Sequence, residues 1–356
     1  MTDESSESKL DYATAGVDID KEDEAISRLV KTLKYARPKG IGSPLELPLF
    51  FTGLIEFNDE FALSLCTDGV GSKVLIASVL KKWDTVGIDC IAMNVNDMIC
   101  IGAEPLAFVD YLAMEDPDPL VTEQIGIGLA KGAELANISL IGGETASLPE
   151  IINGFDLAGT CLGIVKKDRI ITGENIAEGD SIFGLRSTGI HSNGLTLARK
   201  IFEVKGYDFY TPISEIPDIE SQELLDRMVG EVLLTPTEIY VKEVLEAVKR
   251  FNFKGMANIT GGGLRNVKRM NKKFQYRITD PIEPHTIFNM MQKLGNVSTQ
   301  EMYQTFNMGM GFCFVASADE ADAIAEFFNN SRLDCKIVGE VVAGEGVVVP
   351  ALDLKY

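Results

Sequence analysis

The stretch CTDGVGSK, residues 66–73, sets Asp68 and Lys73 on either side of a turn that contains Gly69 and Gly71. The apolar run Phe61–Leu65 leads into it, so it reads as a strand, a glycine turn and the start of a helix. In such a turn backbone N–H groups converge on an anion, and the helix that follows adds partial positive charge. Lys73 adds a full charge, and Asp68 can hold a divalent cation that bridges phosphates. The spacing is neither G-x-x-x-x-G-K-[ST] nor G-x-G-x-x-G, so a purely structural turn with a surface lysine is the competing reading.

Four further stretches carry chemistry-bearing side chains. In DTVGIDCIAMNVNDMI, Asn94 and Asp97 lie three apart on one helix face, and Asp89 lies two turns before Asp97. Polar residues amid so much apolar sequence need partners, either a structural hydrogen bond or a cation such as Mg²⁺, which prefers oxygen ligands. In IGGETAS, Glu144 follows a double glycine that should end a short buried strand at Ser139–Ile141, where α/β proteins place ligand groups. In GIHSNGLTLARKI, His191 is placed to meet an anion or move a proton, while Ser192 or Asn193 can cap the next helix. In ITGGGLRNVKRM, Thr260, Gly261, Gly262 and Gly263 open a helix whose first turns hold Arg265, Lys268 and Arg269, a credible phosphate site or else a solvated cationic face.

The bulk composition limits what these residues can serve. With 33 Lys and Arg against 53 Asp and Glu, the net charge is −20. Such a surface repels nucleic acid and anionic membranes, so an anionic ligand must be met in a local pocket of reversed sign. Six cysteines without a CxxC pair read as buried thiols of a reducing, cytoplasmic compartment. Two histidines exclude a His-rich metal site, and His285 shows no partner and reads as surface. No apolar run is long enough to span a bilayer, and the polar start MTDESSESK reads as a disordered acidic tail (residues 1–14), not a signal peptide. Trp83 and the Met-rich FNMGMGF read as packing, with Asn307 an unassigned polar exception.

The elements that must position these residues alternate helix and strand. We read a helix capped by Asp20, a hairpin at Phe50–Phe57 and Phe61–Cys66, a helix over 72–82, a buried helix over Thr85–Cys100, and a strand at Leu106–Ala113. A helix over 119–136 and a strand at Asp156–Val165 follow. The polar segment 166–180 marks a boundary, which gives an α/β domain over 15–168 and a second over 169–356. In the second, helices are expected at Leu195–Val204, Pro236–Arg250 and Leu264–Met270, and strands at Met310–Ala316 and Lys336–Val342.

Taken together, AGVDID, TDGVGSK, DTVGIDCIAMNVND, GAEPLAFVDY, GGETA, HSNG, LLTPTEIYVK, TGGG and GNVSTQEMYQTFNMGMG resemble the phosphoribosylformylglycinamidine cyclo-ligase (AIR synthetase) family, in the family's order from Ala15 to Gly311. The resemblance implies a two-domain α/β (α+β) AIR synthetase-like fold, whose N-terminal sheet domain forms a homodimer. It implies ATP as co-substrate, Mg²⁺, and ring closure of formylglycinamidine ribonucleotide. It assigns Asp68, Asp97 and Glu144 to Mg²⁺ with Asn94 as helper. It gives Lys73, Ser72 and the Gly69–Gly71 amides to ATP phosphates, His191 and Asn193 to the reacting groups, and Thr260–Gly263 to a ribose or nucleotide phosphate. The loop after Pro38 is shorter than in many members, and Ile190 stands where Pro is frequent. A thiamine-monophosphate kinase-like phosphoryl transferase and a non-catalytic nucleotide-binding regulator are the alternative readings.

Overall fold

The computed structural model describes residues 16, 19–45, 51–217 and 224–356. The expected acidic tail and Phe50 lie outside the described residues. Helix α1 (Ile19–Thr32) starts before Asp20, which therefore lies within the helix and not at its cap. Strands β1 (Gly53–Glu56) and β2 (Phe61–Gly69) form the expected antiparallel hairpin, with Asn58 Oδ1 accepting from the amides of Glu60 and Phe61 at the turn. Then come α2 (Lys73–Leu80), α3 (Val86–Ile99), β3 (Glu104–Met114), α4 (Pro119–Ala136), β4 (Ser139–Ser147) and β5 (Phe155–Lys166). Helix α4 starts where Asp118 accepts from Leu120 and Val121 N–H and Pro119 fills the first position.

The first sheet has the order β1-β2-β5-β3-β4. Alternation along the strands buries one face: Ala62 and Ser64, Cys161 and Val165, Phe108 and Leu112 all point under α3. The opposite face is open and apolar, with Leu65, Val109, Tyr111 and Ile141 exposed. Strand β4 departs from expectation. It runs straight through Gly142 and Gly143 instead of turning there, and it is an exposed edge strand with a register shift opposite Phe108 and Val109. Paired to one neighbour only, it needs no apolar run, so its sequence gives a weak strand signal.

The second sheet, β12-β11-β8-β10-β6-β9-β7, is built from β6 (Ser181–Arg186), β7 (Gly255–Asn258), β8 (Phe274–Ile278), β9 (Met310–Ala316), β10 (Cys335–Ala343), β11 (Gly346–Val349) and β12 (Leu354–Lys355). Helices α5 (Leu195–Val204), α6 (Val229–Leu233), α7 (Val241–Arg250), α8 (Thr286–Gly295), α9 (Thr299–Thr305) and α10 (Ala321–Asn329) accompany it. Helix α7 begins five residues later than the sequence suggests, because the backbone of Thr237, Glu238 and Tyr240 is bonded to side chains outside the helix. The segment expected as a helix at Leu264–Met270 is 3₁₀ over Gly263–Arg269. His285 is not a surface residue without a partner: its Nε2 lies 2.7 Å from the Ser187 carbonyl. Asn307 is buried, bonded to the Ser187 hydroxyl, the Gly189 carbonyl and the Gly309 amide, and so pins the turn that leads to His191. All six cysteines are free thiols.

Helices α3 and α4 cross backbone to backbone. A Cβ on Gly87 would fall 2.2 Å from Leu129 N, and one on Gly128 2.6 Å from the Asp84 carbonyl. No side chain can swing away to relieve that clash, so the helices must separate. We therefore predict that Gly87→Ala destabilises the chain by about 2–3 kcal/mol, measured as a lower denaturant midpoint at unchanged slope; a midpoint equal to wild type would contradict the close crossing.

Candidate active site

The end of β2 and the middle of α3 enclose a cavity of about 330 Å³ lined by Asp68, Asn94 and Asp97, with Thr52, Thr67, Cys66, Phe51 and Met93 around them. Asp68 accepts from the Gly69 amide at 2.7 Å. Burial pushes its carboxyl up from 3.8, against the lowering effect of that bond. Asp97 is held by Asn258 Nδ2 at 2.8 Å. Loss of water raises its pKa to about 7, with Asp68 adding to the rise and Asn258 and Arg269 opposing it. Asn94 pegs α3 to β2: its Nδ2 donates to the carbonyls of Cys90 and Asp68, at 2.9 and 3.2 Å.

The second domain brings two glycine-rich turns against this cavity. Asn193 Nδ2 lies 3.7 Å from the sulfur of Met93. Gly261 sits beside Asn193, so close that a Cβ there would lie 3.3 Å from Asn193 Oδ1. Thr260 Oγ1 accepts from Asn266, and Gly263, at φ +52°, sits where a Cβ would meet the Tyr303 carbonyl at 2.2 Å. Gly71 has φ +68°, which lets the chain turn sharply from β2 into α2. Ser72 makes no capping bond from its side chain, and the amides of Val74 and Leu75 are bonded to the Gly71 and Ser72 carbonyls, at 3.3 and 3.2 Å. Its hydroxyl instead lies 3.1 Å from that of Thr196 in α5.

Three of the expected site residues, Lys73, Glu144 and His191, lie outside the lining of this cavity. Lys73 does not reach toward solvent or a phosphate. Its side chain is fully buried, and Nζ donates to Asp89 Oδ1 at 2.9 Å and to the Thr235 carbonyl at 2.7 Å. Asp89 Oδ1 also accepts from the Thr237 amide and hydroxyl, at 2.8 and 2.6 Å. The lysine is half of a clasp between the domains. Burial pushes its pKa down, and the charge and hydrogen bond of Asp89 oppose that.

Glu144 does not join Asp68 and Asp97. In the sheet it is level with Tyr111, Ala158 and Gly69, so it projects from the open face, opposite to Asp68. It is also three strands from β2, roughly 14 Å at the usual strand spacing. Among the described residues no group of three or more His, Cys, Asp or Glu side chains gathers as a metal cluster.

His191 sits in the seam between the domains as a buried acceptor. It is buried at φ +61°, and its Nε2 accepts from the amides of Thr188 and Glu238, at 3.2 and 3.4 Å. Burial, then the charge of nearby Lys73, lowers its pKa to about 3, so the ring stays neutral at pH 7. It holds the turn that presents Asn193. The strap Thr237–Tyr240, which Asp89, His191 and Asn96 all bind, was read from sequence as helix and its part in the site was missed. Its one visible signal was the Thr-Pro-Thr at 235–237, which disfavours helix before Pro236.

These motifs place the chain among known proteins. The model for the AIR synthase related protein N-terminal domain matches residues 52–165, and that for the C-terminal domain matches residues 177–351. The chain belongs to the AIR synthase related family. It is 51% identical over 337 residues to the phosphoribosylformylglycinamidine cyclo-ligase of Methanosarcina barkeri, covering 95% of this chain and 96% of that protein. It is 52% identical over 331 residues to the enzyme of the same name from Methanococcus maripaludis, covering 93% and 91%. A thiamine-monophosphate kinase from Stenotrophomonas maltophilia shares the fold at a TM-score of 0.62 and 18% identity, over 93% of this chain and 96% of that one.

The clasp yields a stability prediction. Asp89→Ala leaves Lys73 buried without a counter-charge, with only the Thr235 carbonyl to meet it, which costs about 3–5 kcal/mol. Adding Lys73→Met to Asp89→Ala should recover most of that loss in chemical denaturation. A double variant as unstable as Asp89→Ala would mean that Asp89 acts through Thr237 alone.

Proposed function

We propose that the chain catalyses the ATP-dependent ring closure of formylglycinamidine ribonucleotide to 5-aminoimidazole ribonucleotide, releasing ADP and phosphate, as a step of purine biosynthesis. The observation that carries this is the full-length likeness to curated cyclo-ligases at about half identity. The kinase likeness is one of fold alone.

The chemistry needs an oxygen turned into a leaving group. The γ-phosphoryl of ATP passes to the formyl oxygen of the substrate, giving an iminophosphate and ADP. An amidine nitrogen of the same molecule then attacks that carbon, the C–O bond breaks, phosphate leaves, and loss of a proton completes the aromatic ring. The protein's work is to hold two ends of one flexible molecule together and to neutralise phosphate charge. Asp68 and Asp97, two carboxylates on one small cavity, fit a hard cation such as Mg²⁺; bound there, it would shield phosphate charge. The turn at Gly71 and Ser72 would set the start of α2 beside an anion, Asn193 offers a neutral side-chain donor, and the Thr260–Gly263 turn lines the same side. Lys73 and His191 contribute by holding the domains and the Asn193 turn in place.

The open apolar face of the first sheet, with Leu65, Val109, Tyr111 and Ile141 exposed, suits a homodimer joined through these sheets, which would set Glu144 against the partner. Among the described residues no helix is long and apolar enough to cross a membrane. A cytoplasmic location fits this reading.

The deciding experiment incubates the purified chain with Mg-ATP and formylglycinamidine ribonucleotide and scores ADP together with the aminoimidazole colour reaction. Both products are expected in equal amounts; ADP without the imidazole would refute ring closure. Asp97 gives a second expectation. Its folded pKa, near 7, lies above the ordinary 3.8, so the metal-free fold binds a proton that the unfolded chain releases. The stability due to that proton is full below about pH 4 and is lost as pH rises through about 7. Mg²⁺ binds the ionised form, so the rise in melting temperature on adding Mg²⁺ should be larger at pH 8 than at pH 6, and Asp97→Asn should abolish the difference. Equal Mg²⁺ shifts in wild type and variant would take Asp97 out of the metal site.

A further inference from the structure

Strand β7 ends at Asn258, and the glycine turn Thr260–Gly263 begins two residues later. Asn258 is 3% exposed. Its side chain leaves the second domain and crosses the seam, where Nδ2 donates to Asp97 Oδ1 on α3 at 2.8 Å. Its carbonyl accepts from Asn266 Nδ2 at 3.1 Å. The same amide of Asn266 donates to Thr260 Oγ1 at 2.8 Å, and a Cβ on Gly262 would fall 2.1 Å from Asn266 Oδ1. The glycine turn is therefore packed around Asn266, and Asn266 in turn fixes the backbone that carries Asn258. One continuous chain of hydrogen bonds runs from that turn to the Asp97 carboxylate.

This chain gives Asp97 a direction that its own helix does not supply. Asp97 and Asp68 line one cavity and repel each other when both are ionised, so an untethered pair would turn apart. Among the described residues the Asp97 carboxylate makes no other hydrogen bond. With Oδ1 held by the Asn258 amide, Oδ2 is the oxygen left to meet a cation. A neutral amide suits this post. It donates to the carboxylate without a full positive charge, which would compete with the cation for Asp97. Partners that hold a metal ligand in this way orient it, and their loss typically weakens metal binding about 10- to 100-fold.

We propose that Asn258 is a positioning residue for the cation: it aims Asp97 into the carboxylate cavity from across the domain seam, so the cation site of the first domain is complete only when the glycine turn of the second is in place. The inference rests on the reading of Asp68 and Asp97 as the cation ligands of the proposed reaction.

The test is calorimetric titration of the full-length chain with Mg²⁺ alone at pH 8. Asn258→Leu keeps the approximate size of the side chain and removes the donor. It should weaken Mg²⁺ binding about 10-fold or more. Asn258→His keeps a ring N–H close to where Nδ2 lies and should recover most of the loss, which a merely structural role would not produce. With Asp97→Asn already present, Asn258→Leu should weaken Mg²⁺ no further. An affinity of Asn258→Leu equal to wild type, the same loss with and without Asp97→Asn, or no Mg²⁺ binding by wild type would overturn the proposal. Should Asn258→Leu fail to fold, Asn258→Ser takes its place in the same comparisons. Because the readout is metal binding, a wild type that closes no ring would remove the proposed reaction and leave this result standing. Ring closure with Mg²⁺ binding untouched by Asn258→Leu would do the reverse.

Discussion

One buried ion pair fixes how the two domains meet. Lys73 and Asp89 both belong to the first domain, and on their own they would be an expensive pair to bury. They are tolerable because the second domain completes them, with the Thr235 carbonyl on the ammonium and the Thr237 amide and hydroxyl on the carboxylate. The strap that supplies those groups continues to Glu238, whose amide bonds His191, and to Tyr240, whose amide bonds Asn96 on α3. Arg332 braces the strap from outside through Glu238 and Glu243. Every group proposed to touch substrate lies on one side or the other of this seam.

The consequence is a division of labour among the polar residues. Those sunk in the seam, Lys73, Asp89, His191 and Asn96, are spent on each other and on the strap. Asp68 and Asp97 instead line a cavity, where the proposed reaction needs them to meet a cation. The electrostatics follow the same split. Burial holds His191 neutral and lifts Asp97 toward neutrality, so one side chain acts as a fixed acceptor and the other changes charge near physiological pH.

Much of the fold was legible because its strong elements are periodic. Helix α4 and strand β9 fall where the sequence places them, and so does α5. Strand β4 was misread at Gly142–Gly143, since an exposed edge strand carries no apolar run. The start of α7 was misplaced because side chains from Asp89, His191 and Asn96 outbid the helix for its backbone amides. For the site, the motifs gave residue types but not directions. Asp68 and Lys73 sit five apart in sequence and diverge, one into a cavity and the other into the seam. The family resemblance groups Glu144 with Asp68, while within one chain the two-residue alternation of a strand sends it to the opposite face.

The central claim is that the Thr235–Tyr240 strap is locked to the first domain in the resting protein. Native-state amide hydrogen exchange of the wild-type chain, read at Thr237 and Tyr240, tests it most directly. The account predicts that both amides exchange only through global unfolding, with the same free energy as the core of α3. Exchange at these two positions through local opening, several kcal/mol below the global value, would show that the seam is open in solution and contradict it.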